Sequence, residues 1–255
     1  MAPESCGRNS LPSKGLHMDQ KPHLLLLPGM LCDGAFWRSQ MDRLADICTS
    51  AVISFGTSDS IGAMAQIVLA DAPETFALAG HSMGGRVALE VYRRAPQRVA
   101  RLGLFCTDYR GHVSDEARKL EIATGEGLLA LARSEGMKAV ATRLTGRVLP
   151  PDRHGDKRLV SAVEEMIARH SPAVLAAQIN AGVTRPDFTE LLPTITCPTL
   201  VCAGEKDVMR PVEVHREMAA KIPSSRLAII AQGGHMVAME YPREVTAAMR
   251  DWLQS

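Results

Sequence analysis

The sequence predicts an α/β fold: a doubly wound, mostly parallel sheet with a helical lid inserted between two of its core strands. Three observations carry that expectation. Short apolar runs of strand length alternate with amphipathic stretches of helix length, as in βαβ units. A glycine-rich turn, Gly80-His81-Ser82-Met83-Gly84-Gly85, joins one such run directly to one such helix. Between Asp108 and Pro193 the alternation stops, and helical spacing continues with no strand pattern.

Taken in order, His23–Leu27 is a leucine run ended by Pro28-Gly29, which reads as a strand buried on both faces. From Ala35 to Ala45, Phe36, Trp37, Met41 and Leu44 share one side of a helix, and Asp33 stands where its carboxylate can cap it. Ala51–Phe55 reads as the next strand. Ser60–Ala70 reads as the next helix, with Ile61, Met64, Ile67 and Val68 at helical spacing. Thr75–Ala79 is a strand, and Arg86–Ala95 is a helix stopped by Pro96. Val99–Cys106 follows as a strand. Asp115–Ala132, Glu135–Gly146 and Asp156–Val183 read as helices. Thr199–Ala203 (strand), Val212–Lys221 (helix), Arg226–Ala231 (strand) and Pro242–Leu253 (helix) complete the chain.

This divides the chain into a core of residues 22–108 and 193–255 and a lid of residues 109–192 over the carboxyl edge of the sheet, where such folds bind ligands. An independent helical domain is the alternative, and the return of both ends to strands of one sheet argues against it. Residues 1–21 are polar, have no apolar h-region, and read as a disordered leader.

A chain of 255 residues, 46% hydrophobic and 22% charged, fits one α/β domain with an insertion. A net charge of +1 gives no basis for a nucleic-acid or anionic-membrane partner. No stretch approaches the roughly 18 apolar residues of a membrane span. Cys6, Cys32, Cys48, Cys106, Cys197 and Cys202 form no CxxC pair and read as free thiols in a reducing, cytoplasmic compartment. Neither a metal nor a cofactor is expected, since no HExxH or Cys/His cluster occurs.

The chemistry centres on the turn. A serine pinned between strand and helix and flanked by glycines has the context of a nucleophile elbow, so Ser82 is the expected nucleophile. Its hydroxyl needs a base, and the base needs a carboxylate to hold its tautomer. Gly233-Gly234-His235-Met236 follows the last strand and supplies His235. Ala203-Gly204-Glu205-Lys206-Asp207 follows the strand before and supplies Asp207. Asp108, also after a strand, is the rival acid. His81 is expected to pack locally, and His112, His154, His170 and His215 to lie on the surface. Two backbone N–H groups are needed for a developing alkoxide. Met83 offers one at the start of its helix, and Met30, in Pro28-Gly29-Met30-Leu31, offers the other. Leu31, Met209, Met236 and Val237 are expected to line the pocket. Thirteen methionines with 4% aromatics suit an adaptable apolar site, or simple core filling. Arg110, Arg143, Arg147 and Arg185 are candidates to read a substrate carboxylate, or else solvated surface.

On these residues the chain resembles the α/β-hydrolase fold superfamily, in particular its small cap-bearing serine esterases, lactonases and carbon–carbon hydrolases. The likeness spans roughly residues 22–254. It departs in two places. Pro28-Gly29 replaces a common His-Gly at the oxyanion turn, and no antiparallel hairpin opens the fold, which implies six strands. Serine at the elbow sets the chain apart from the dehalogenase and epoxide-hydrolase branches, which use Asp there. The resemblance implies cofactor-free cleavage of a carboxylic ester or lactone of a small molecule through an acyl-enzyme. The alternatives are carbon–carbon hydrolysis of a meta-cleavage-type diketo acid, or a non-catalytic receptor on the same fold.

Overall fold

A computed structural model describes residues 21–255; apart from Lys21, the leader read for residues 1–21 lies outside them, as does Cys6. Six strands form the sheet: β1 (His23–Leu27), β2 (Thr49–Val52), β3 (Phe76–His81), β4 (Val99–Phe105), β5 (Thr199–Gly204) and β6 (Ser225–Ile230). Their order is β2-β1-β3-β4-β5-β6, and every neighbouring pair is parallel. β3 and β5 are buried along their whole length, which is why they are written as unbroken runs of apolar and small residues. β2 starts two residues before the expected Ala51, because its limits are set by pairing with β1, where Thr49 lies opposite His23. As a half-exposed edge strand, it has no continuous apolar run to mark it.

α1 (Gly34–Leu44), the short α9 (Val237–Glu240) and α10 (Pro242–Gln254) pack together on one face of the sheet. α2 (Ile61–Asp71), α3 (Met83–Arg94) and α8 (Val212–Lys221) cover the other. Asp33 caps α1 by accepting from Ala35 N at 2.8 Å. The connections leaving β1 and β3 pass to opposite faces, so the carboxyl ends of these two adjacent strands flank the natural ligand crevice of a doubly wound sheet.

Between β4 and β5 the chain forms α4 (Asp115–Glu135), α5 (Met137–Val148), α6 (Lys157–Ala168) and α7 (Pro172–Val183). The single helix expected over 156–183 is therefore two. Pro172 has no N–H to donate to a preceding turn, and Ser171 caps the new start by accepting from Val174 N. The insertion shares its apolar interior with α1 and α10 through Val140, Leu144, Met166 and Leu175. Its two ends are tied to each other: Phe188 N donates to Tyr109 O at 2.9 Å and Gly111 N to Asp187 Oδ2 at 2.7 Å. Among the described residues no helix is long and apolar enough to cross a membrane.

Candidate active site

Ser82 stands between β3 and α3 with φ 51° and ψ −113°, a conformation a non-glycine residue holds only when its surroundings impose it. The end of β4 imposes it from the side. Ser82 N donates to Phe105 O at 2.9 Å, and the Thr107 hydroxyl donates to Ser82 O at 2.6 Å. At Gly84 a Cβ would fall on the Leu27 carbonyl, so only glycine lets the start of α3 rest on the end of β1.

His235 follows β6 on a glycine turn and meets both partners. Its Nδ1 lies 2.8 Å from Asp207 Oδ2, and its Nε2 lies 3.1 Å from Ser82 Oγ. An ionised carboxylate only accepts, so Nδ1 carries the proton and Nε2 is left to accept the serine hydroxyl. The histidine and aspartate side chains are 6% and 0% exposed. Burial pushes the Asp207 carboxyl up, but the facing His235 and the N–H groups of Arg210 and Met209 outweigh it and hold it below the usual carboxylate range. The acid and base loops touch at Gly204, where a Cβ would fall on the Gly234 carbonyl. Lys206 N also donates to Gly233 O at 2.7 Å. Asp108 is spent elsewhere: its oxygens accept from Arg110 N at 2.9 Å and from the Arg110 guanidinium at 3.1 Å.

Met83 opens α3, where backbone N–H groups have no intrahelical partner. Met30 lies in the turn after β1, the strand beside β3. Of the expected pocket residues, Leu31, Met236 and Val237 are fully buried, and Met209 is half-buried just after Asp207. Ser82 lines neither of two clefts that open in the surface. One of about 650 Å³ runs behind Asp207 between Pro150, Lys206, Val208 and Arg216. One of about 270 Å³ lies beside the β1 turn between Pro28, Cys32, His170, Val174 and Gln178.

His81 packs locally, as expected. Its ring stacks on Phe36 with centres 4.0 Å apart, Nε2 donates to His235 O at 2.9 Å, and burial holds its pKa well below the ordinary value. It thereby braces the loop carrying the base. The surface reading of His112, His170 and His215 is corrected. His215 is fully buried on the inner face of α8, where Nδ1 donates to Pro211 O at 3.1 Å and Nε2 accepts from Thr107 N at 3.1 Å. The signal was its place on the same helical face as Val214 and Met218. His112 is half-buried and donates from Nε2 to Val183 O at 2.9 Å, and His170 is half-buried at the 270 Å³ cleft; His154 is exposed, as expected, and donates from Nε2 to Leu149 O at 3.1 Å.

Among the candidate carboxylate readers, Arg110 pairs with Asp108 and Arg185 with Glu121, while Arg143 and Arg147 are exposed on α5. Arg86, which sequence reasoning missed, is buried with its Nη1 donating to Arg110 O at 2.7 Å, and burial pulls its pKa down to about 9. Cys106 was missed too. Its Sγ lies within 4.8 Å of both the Asp207 and His235 donor atoms, in the one such group among the described residues close enough to share a metal ion. Burial keeps that thiol protonated, and the other two groups are already bonded to each other.

The geometry sets a serine hydroxyl against a histidine base beside two candidate oxyanion donors. The chain is 26% identical to a pimeloyl-[acyl-carrier protein] methyl ester esterase of Vibrio parahaemolyticus, over 92% of this chain and 95% of that protein. It superposes on a thermophilic esterase from Thermogutta terrifontis, solved with malate bound, at a TM-score of 0.81 and 29% identity, covering 92% of this chain and 90% of the other. The enol-lactonase of Burkholderia xenovorans shares the fold at a TM-score of 0.81 and 21% identity, covering 94% of each chain. The alpha/beta hydrolase family profile matches residues 24–248, and the chain belongs to that family.

Proposed function

We propose that this chain is a serine hydrolase that cleaves a carboxylic ester or lactone of a small molecule through an acyl-enzyme on Ser82. One contact chain carries the proposal: Ser82 Oγ to His235 Nε2 at 3.1 Å and His235 Nδ1 to Asp207 at 2.8 Å. His235 takes the hydroxyl proton as Ser82 Oγ attacks the carbonyl carbon, and Asp207 stabilises the imidazolium that forms. The carbonyl oxygen becomes an alkoxide facing the Met30 and Met83 N–H groups. His235 then returns the proton to the departing alkoxy oxygen. Water, activated by the same histidine, releases the acid and restores the serine. The insertion, residues 109–192, covers this edge as a lid on the core of residues 22–108 and 193–255, and Met30 and Met209 supply the apolar wall that stays partly open. The esterase names of the Vibrio and Thermogutta relatives favour an ester over a carbon–carbon bond.

Turnover of p-nitrophenyl acetate and butyrate tests the proposal. Ser82→Ala is expected to lower kcat by about 10³-fold or more. Phenylmethylsulfonyl fluoride is expected to add its mass to the peptide containing Ser82. Retained turnover in Ser82→Ala, or turnover of a chromogenic diketo acid in preference to every ester and lactone, would overturn the assignment.

A further inference from the structure

The turn after β1 is gripped by the helical insertion. Gly29, Met30, Leu31 and Cys32 form a β-turn closed by Cys32 N donating to Gly29 O at 3.1 Å. Leu31, the third residue, has φ 54°, whereas Met30 has no positive φ. That combination is a type II turn, whose third position is ordinarily glycine. A leucine there strains the backbone, and a flip of the Met30–Leu31 peptide to the type I form would relieve the strain. The N–H of that same peptide is captured from α7: Leu31 N donates to Gln178 Oε1 at 2.7 Å. Gln178 is 4% exposed. A flip would turn the Met30 carbonyl toward the Gln178 oxygen and set two buried acceptors face to face. Two residues further along the turn, Arg169 at the end of α6 grips Asp33 through both carboxylate oxygens at 2.8 and 3.2 Å.

From these contacts we infer that Gln178 is a positioning residue for the oxyanion hole: through Leu31 it fixes the turn that presents the Met30 N–H to the developing alkoxide. The insertion is then part of the machinery as well as its cover. The inference rests on the serine-hydrolase proposal and on Met30 as an oxyanion donor. Such a donor acts on the transition state more than on bound ester. The flip by itself leaves Met30 φ unchanged; losing the Gln178 anchor moves the Met30 N–H by letting the whole strained turn shift, which lowers kcat and leaves KM.

Two variants test it. Gln178→Met keeps the length and apolar packing and removes the acceptor. Gln178→Glu keeps an acceptor oxygen in either protonation state. The unmodified chain and Ser82→Ala are assayed first with p-nitrophenyl acetate; without serine-dependent turnover the hydrolase proposal itself fails. Given that turnover, Gln178→Met is expected to lower kcat about tenfold, equivalent to about 1.4 kcal/mol, with KM within about twofold. Inhibition by a short alkyl trifluoromethyl ketone, which adds Ser82 Oγ to form a hemiketal oxyanion, is expected to weaken by a similar factor. Gln178→Glu is expected to keep at least about a third of the kcat, and both variants to melt cooperatively. Unchanged kcat in Gln178→Met, a loss carried by KM, or equal losses in both variants would overturn the role of Gln178 and leave the hydrolase proposal standing.

Discussion

Asp108 and Asp207 both follow parallel strands at the same edge of the sheet, and their free oxygens separate them. Asp207 spends Oδ1 on the Met209 and Arg210 N–H groups, which turns Oδ2 to His235. Asp108 spends both oxygens on Arg110. Asp207→Asn offers His235 an amide and destabilises the productive tautomer, so kcat on a p-nitrophenyl ester is expected to fall by about 10²- to 10⁴-fold. Asp108→Asn is expected to stay within about threefold, and the opposite ranking would move the acid to Asp108. Ser82, His235 and Asp207 were legible because each sits at a strand end marked by its own glycines. Thr107, His215 and Gln178 were not, because what gives each a role lies far off in sequence. Leu31 is 147 residues from Gln178, and Thr107 is 108 residues from His215. Local pattern carries no trace of such pairings.

Elements were legible in proportion to how fully they are buried. β3 and β5, wrapped by helices on both faces, appear as continuous apolar runs, whereas edge strand β2 takes its limits from its neighbour. The break between α6 and α7 was hidden because apolar spacing continues across it, although Ser171-Pro172 was an available signal. Asp33 shows how one side chain serves two elements, capping α1 at 2.8 Å and pairing with Arg169 at the end of α6. The cap is worth about 1 kcal/mol. The ion pair, 34% and 52% exposed, is worth less than about 1 kcal/mol and weakens with salt. Asp33→Asn keeps the capping oxygen and loses the charge, so urea unfolding is expected to show a loss below about 0.5 kcal/mol. Asp33→Ala loses both, and about 1–2 kcal/mol is expected at low salt. Equal losses in the two variants would mean that the charge, not the cap, anchors α1.

For the whole molecule, a net charge of +1 leaves the pH dependence of stability to a few buried groups. His81 and His215 are held neutral by burial, so their contribution is present above the ordinary histidine value and lost as pH falls. Asp207, held low, adds a further loss in stronger acid. Glu240 works in the opposite direction. It is 5% exposed, Oε2 accepts the Gly234 N–H at 3.0 Å, Oε1 has no partner among the described residues, and burial raises its pKa from 4.5 to about 7 against the pull of that N–H and of Arg153. A carboxyl raised in the folded state favours folding fully below its unfolded value. That advantage is lost as pH climbs through the folded one. The full displacement corresponds to about 3 kcal/mol. Glu240→Gln keeps an acceptor for Gly234 and cannot ionise. Urea unfolding is therefore expected to find it no more stable than the unsubstituted chain at pH 4.5, and about 1–3 kcal/mol more stable at pH 8.5. A difference that stays constant between those pH values would show that Glu240 ionises as freely in the fold as outside it.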